Sequence, residues 1–144
     1  MALLLQISFN MVNEKPLDRK NIMVVDPDED FCRNVRLYLE DNYSVMSRQG
    51  LEFLDYSIIL YQIDLVLLDA DFATHESIKL LKDLKINHPR LKIVVMYVYL
   101  SLDREIEKSL AQHADDMIAK PFDVDVLKSK VDQLLGFSAQ PASS

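Results

Sequence analysis

Residues 65–69 read Leu-Val-Leu-Leu-Asp. Four apolar residues in a row, ended by a carboxylate, are the pattern of a short strand buried on both faces. A strand with one wet face would alternate instead. Burial on both faces requires helices above and below the sheet. Working outward, Ile22–Val25 is a second such run and also ends on a carboxylate, Asp26. Ser44–Ser47 is a weaker strand, Ile93–Tyr99 a fourth and Met117–Ala119 a short fifth. Helical spacing fills the intervals. Phe31, Val35, Tyr38 and Leu39 share a face behind a capping Asp28. Gly50 opens a helix with Leu51, Leu54, Ile58 and Tyr61 inward. Ile78, Leu81 and Leu84 mark a third helix that must stop before Pro89. Asp103 caps a fourth with Ile106 and Leu110 inward, and Asp123 a fifth with Val124, Leu127, Val131 and Leu134, closed by Gly136.

Five repeats of strand then helix, joined by short connections, predict an α/β fold. It is a flavodoxin-like (βα)5, doubly wound, five-stranded parallel sheet in the order 2-1-3-4-5. In such sheets ligands bind beyond the carboxyl ends of the strands, where the strand order reverses. Strand one ends at Asp26, strand three at Asp69 and strand five at Lys120. Two carboxylates and an ammonium are thus expected at one edge of the sheet.

Composition narrows the function. The 144 residues suit one domain. Sixteen Lys+Arg against 23 Asp+Glu give a net charge of −7, which argues against binding nucleic acid through phosphate contacts. Two glycines, Gly50 and Gly136, exclude glycine-rich dinucleotide and phosphate loops. The single cysteine, Cys32, excludes an internal disulfide and fits a reducing compartment, so a cytoplasmic location is expected. His75, His88 and His113 are too scattered to form a metal pair and read as surface or capping residues. Lys79, Lys82 and Lys85 read as a solvated helical face.

With these positions fixed, the chain resembles the receiver domain of two-component response regulators over about residues 20–136. The resemblance is carried by IMVVD at 22–26, LVLLD at 65–69, ESIKLLKDLK at 76–85 and ADDMIAKPFD at 114–123, with Lys120-Pro121-Phe122 its most specific piece. It implies that Asp69 is the phosphoacceptor, a carboxylate nucleophile taking a phosphoryl group from a sensor histidine kinase or phosphotransfer protein. Lys120 would neutralise the phosphoryl oxygens. Magnesium would be held by Asp26, Asp69 and the backbone carbonyl of Asp71, with Asp28 a further candidate. The Lys120–Pro121 peptide would be cis. An output domain or effector protein would be the second partner, and a homodimer would form through the fourth helix, fifth strand and fifth helix.

The departures bear on how such a domain would work. The second residue of the acidic pair is Pro27, which offers no carboxylate, so weak magnesium binding is expected. The switch hydroxyl at the end of strand four is replaced by Val98, the next residue is Tyr99, and the aromatic of strand five is Met117. Ala73, Ser77 and His113 replace a proline and two glycines. Two readings follow: a phosphorelay receiver with degenerate metal and switch positions, or a pseudo-receiver that binds proteins without regard to phosphate. An enzymatic alternative rests on Asp69-Ala70-Asp71, which resembles the D-x-D nucleophile motif of haloacid-dehalogenase-type phosphatases. That motif follows the first strand and carries a nearby threonine, whereas Phe72 and Ala73 separate Asp71 from Thr74. No enzymatic turnover is expected.

Residues 1–19 form an N-terminal extension in which Ala2–Phe9 is apolar apart from Gln6 and Ser8, too short for the roughly 20 residues that span a bilayer. It lacks the basic start of a secretory signal, and Met11 is an alternative start. Residues 137–144, small and polar beyond Phe137, read as a flexible tail or linker.

Overall fold

The computed structural model describes residues 19–70, 75–98 and 103–137. Its strands are β1 (Asn21–Val25), β2 (Ser44–Arg48), β3 (Leu65–Asp69), β4 (Lys92–Val98) and β5 (Asp116–Lys120). Its helices are α1 (Glu29–Leu39), α2 (Leu54–Leu60), α3 (His75–Asn87), α4 (Arg104–His113) and α5 (Val124–Leu135). All strand pairs are parallel and the order is β2-β1-β3-β4-β5, the flavodoxin-like arrangement expected.

The alternation of side chains along each strand builds two cores. Met23, Val25, Val66, Leu68, Ile93 and Val95 face one side, where Leu54 and Ile58 of α2, Leu81 and Leu84 of α3 and Leu110 of α4 cover them. Ile22, Val24, Leu65, Leu67, Val94, Met96 and Ile118 face the other side, against Cys32, Val35 and Leu39 of α1 and Leu127 and Val131 of α5. Each fully buried aliphatic side chain contributes about 1.5–3 kcal/mol relative to exposure. The strands therefore need no polar face, as LVLLD indicated.

The helix ends follow the capping chemistry read from the sequence. Asp28, Asp103 and Asp123 each have extended backbone and accept a hydrogen bond from an amide of the first helical turn. Gly136 ends α5 with φ +70°, a conformation that glycine adopts without a Cβ penalty. Tyr43, in the turn after α1, donates to Asp132 of α5 at 2.5 Å, and Tyr38 of α1 donates to Asp125.

Several details differ from expectation. α2 starts at Leu54, not Gly50, because the Arg48 guanidinium donates to Ser57 Oγ (2.6 Å) and to the Glu52 carbonyl and so folds the intervening turn back on itself. Phe53 caps this helix with φ +58°, and Tyr61 lies beyond its end and is exposed. Lys85 is no solvated lysine: it pairs with Asp115 at 2.6 Å and donates to the Leu91 carbonyl. Arg19 and Phe137, flanking residues 20–136, also pack against the described body. Arg19 donates to the carbonyls of Glu40, Asp41 and Tyr43, and the Phe137 ring lies 5.8 Å from that of Tyr43. Residues 1–18 and 138–144 lie outside the described residues.

Candidate functional site: an acid–lysine cluster at the strand-order reversal

β1 pairs with β2 on one side and β3 on the other, so the reversal lies at the carboxyl ends of β1 and β3. The alternation that puts Val24 and Leu67 on the α1–α5 side puts Asp26 and Asp69, two residues on, at the same side. Ile118 on that side brings Lys120 there too. The three side chains meet: Lys120 Nζ lies 2.5 Å from Asp26 Oδ2 and 3.2 Å from Asp69 Oδ1. Both carboxylates are 1% exposed. The Lys120–Pro121 peptide is cis, as expected.

Asp26 is held from two directions. Its Oδ1 accepts from the Asp28 amide at 2.8 Å while its Oδ2 takes the ammonium. A second feature escaped the sequence reading. Lys120 Nζ sits 4.4 Å from the centroid of the Phe31 ring, which meets Phe122 edge-on at 5.9 Å. The ammonium thus has an aromatic floor, an attraction worth about 0.5–2 kcal/mol. Burial disfavours the charged lysine, but the hydrogen bond from Lys120 to Asp26 and the charges of Asp69 and Asp26 outweigh it, and the Lys120 pKa is raised above 10.5.

The other candidate residues divide. Asp28 Oδ1 accepts from the Phe31 amide at 3.1 Å and so caps α1. Val98 pairs in register with Lys120 and borders the apolar groove formed with Phe31, Val35 and Phe122. Met117 lies on the opposite face, with Tyr97, against the core under α4. Asp71, Ala73 and Tyr99 lie outside the described residues. For a magnesium ion, the donor chemistry fits in kind: Asp26 and Asp69 are hard oxygen donors, the type that this cation takes. It is sparse in number, since no group of three His, Cys, Asp or Glu side chains is arranged for a metal among the described residues.

A flavodoxin-like sheet with two buried carboxylates and a lysine at its switch point defines a small class of doubly wound signalling domains. The chain belongs to one family of that class, the response regulator receiver domain, which residues 22–132 match. It is 31% identical over 123 residues to the transcriptional regulatory protein ZraR of Escherichia coli (strain K12), covering 82% of this chain and 27% of that protein. The chain therefore spans about a quarter of the length of that regulator. It is 30% identical over 131 residues to the sporulation initiation phosphotransferase F of Bacillus subtilis, covering 87% of this chain and 96% of that one. Among solved structures, a response regulator from Thermotoga maritima superposes with a TM-score of 0.73 at 27% identity, covering 82% of this chain and 98% of the other. A two-component response regulator from Clostridium difficile gives 0.68 at 25%, covering 82% and 97%. The protein is thus a receiver domain of two-component signalling. No helix among the described residues is long and apolar enough to cross a membrane.

Proposed function

We propose that Asp69 is the phosphoacceptor of this receiver. The observation that carries the reading is the Lys120 ammonium 3.2 Å from a buried carboxylate at the end of the central strand. One Asp69 oxygen attacks the phosphorus of a phosphohistidine or acyl phosphate, the bond to the leaving nitrogen or oxygen breaks, and Lys120 offsets charge on the equatorial oxygens. Asp26 and Asp69 would hold magnesium, which supplies further neutralisation of the transferring group. The carboxylate is a stoichiometric acceptor, so the domain is a signalling partner rather than an enzyme. A sensor kinase or phosphotransfer protein feeds it in the cytoplasm, and an output domain or effector reads it. The net charge of −7 suits protein partners over nucleic acid.

A second reading, a pseudo-receiver that works without phosphate, is favoured by one feature: Pro27 stands where the resemblance puts the second metal carboxylate. Incubation with a small phosphodonor and magnesium, followed by intact-mass measurement, separates the two. An adduct of one phosphoryl group that Asp69→Asn abolishes supports the first reading; no adduct supports the second.

For self-association, we propose the face formed by α4, β5 and α5. Lys130 pairs within the chain with Asp116 at 3.1 Å, and Lys128 with Asp132 at 2.7 Å. The contact is therefore centred on Arg104, Glu107 and Lys108, which line a hollow of about 500 Å³ beside Met117.

A further inference from the structure

The outer face of α2 is apolar. Phe53, Tyr56 and Leu60 recur at helical spacing along one ridge, with Ile59 beside them, and they are 81, 63, 50 and 67% exposed. The inward positions of this helix are already filled by Leu54 and Ile58, so the ridge is a second apolar stripe on a seven-residue helix. A contiguous apolar surface of this kind marks an interaction site. Phe53 adds to it by holding φ +58°, a conformation uncommon for a side-chain-bearing residue, with its ring in water. Through Ile59 the ridge runs into a groove of about 370 Å³ between the end of α2 and the turn after α3, lined by Ile58, Gln62, Ile63, Pro89 and Leu91.

The N-terminal end of β1 lies beside the residues that line this groove. β1 starts against the residues that follow α2: Asn21 Nδ2 donates to the Gln62 carbonyl at 3.0 Å, and the Asn21 amide donates to Asp64 Oδ2 at 2.8 Å. Residues 2–9, ALLLQISF, lie outside the described residues and are joined to Arg19 by residues 10–18. Nine extended residues reach about 30 Å. α2 is only ~10 Å long. The tether therefore spans the whole ridge with slack, and a short tether keeps the segment at an effective concentration on the order of millimolar.

We propose that residues 2–9 of the same chain dock on the α2 ridge and its groove, with Leu3, Leu5, Ile7 and Phe9 as the alternating contacts. The sequence has no tryptophan, so Phe9→Trp in the full chain gives a single indole that is excited selectively over the six tyrosines. The expected result is blue-shifted emission and acrylamide quenching several-fold weaker than for a free indole, both independent of protein concentration. Ile59→Asp or Tyr56→Asp, each added to Phe9→Trp at an exposed position and checked for fold by circular dichroism, should red-shift the emission and restore quenching. Solvent-like emission from Phe9→Trp alone, or emission indifferent to both α2 charges, overturns the proposal. A blue shift that grows with concentration overturns it in favour of a second copy as the occupant.

Discussion

At the level of single side chains, Lys120 is the pivot, and its protonation carries a testable sign. Its pKa is raised, against burial, chiefly by the hydrogen bond with Asp26. We expect its ε-carbon, followed by NMR, to titrate above 10.5 and Asp26→Asn to bring the midpoint down. Val98 is a second residue with a defined consequence. It lies in register beside Lys120 and has no hydroxyl to donate to a phosphoryl group. A hydrogen bond to a charged acceptor is worth about 1.5–3 kcal/mol. On the proposed function, its absence would lower coupling between phosphorylation and conformation roughly ten- to a hundredfold. We expect beryllofluoride with magnesium to shift few amide resonances in the native chain, and to shift those of α4 and β5 in Val98→Thr. Pro27→Asp should tighten magnesium binding in calorimetry, because it adds a hard oxygen ligand beside Asp26.

Among the elements, α1 links stability to the site. Asp28 caps it, and its first turn delivers the Phe31 ring to the Lys120 ammonium. Asp28→Ala should cost about 1 kcal/mol in urea unfolding. Asp28→Asn, which keeps an accepting oxygen, should cost little. The same element shows what the sequence disclosed and what it withheld. Asp28, Asp103, Asp123 and Gly136 declare the helix ends because capping is local chemistry, and the runs ending on Asp26 and Asp69 declare the central strands because burial on both faces has a local pattern. Lys120 followed from its motif. The aromatic floor, the Lys85–Asp115 and Lys130–Asp116 pairs and the late start of α2 were not legible. Each depends on which groups become neighbours in space, and the turn before α2 is spanned by the Arg48 hydrogen bonds to Ser57 and Glu52.

For the molecule as a whole, groups that hold their protons more tightly when folded set the response to alkali. Burial, and secondarily the charge of Asp26, pushes Cys32 up from 9.0 to about 11. Tyr38 rises from 10.0 to about 12 through its hydrogen bond to Asp125. Burial and then Asp132 push Tyr43 up, and Lys120 is raised as above. In each case the folded chain binds more protons than the unfolded one, so the stabilisation is complete below the unfolded values and is lost as pH rises through the folded ones. We expect the urea midpoint to fall progressively above about pH 9–10, and Tyr43→Phe to lessen the slope while lowering stability near neutrality by about 1 kcal/mol.

The two-residue alternation that sends Asp26, Asp69 and Lys120 to one side of the sheet also governs which changes of length the chain can inherit. A codon gained or lost in a connecting segment away from the site, such as the turn after α3, leaves the alternation along the strands unchanged and Asp26, Asp69 and Lys120 on one side. The same codon placed before Leu67 within 65–69 turns Leu67 and the Asp69 carboxylate toward the opposite helical layer and sends Leu68 the other way. Drift in length is therefore confined to the loops, and the chemistry is inherited as a matter of odd and even.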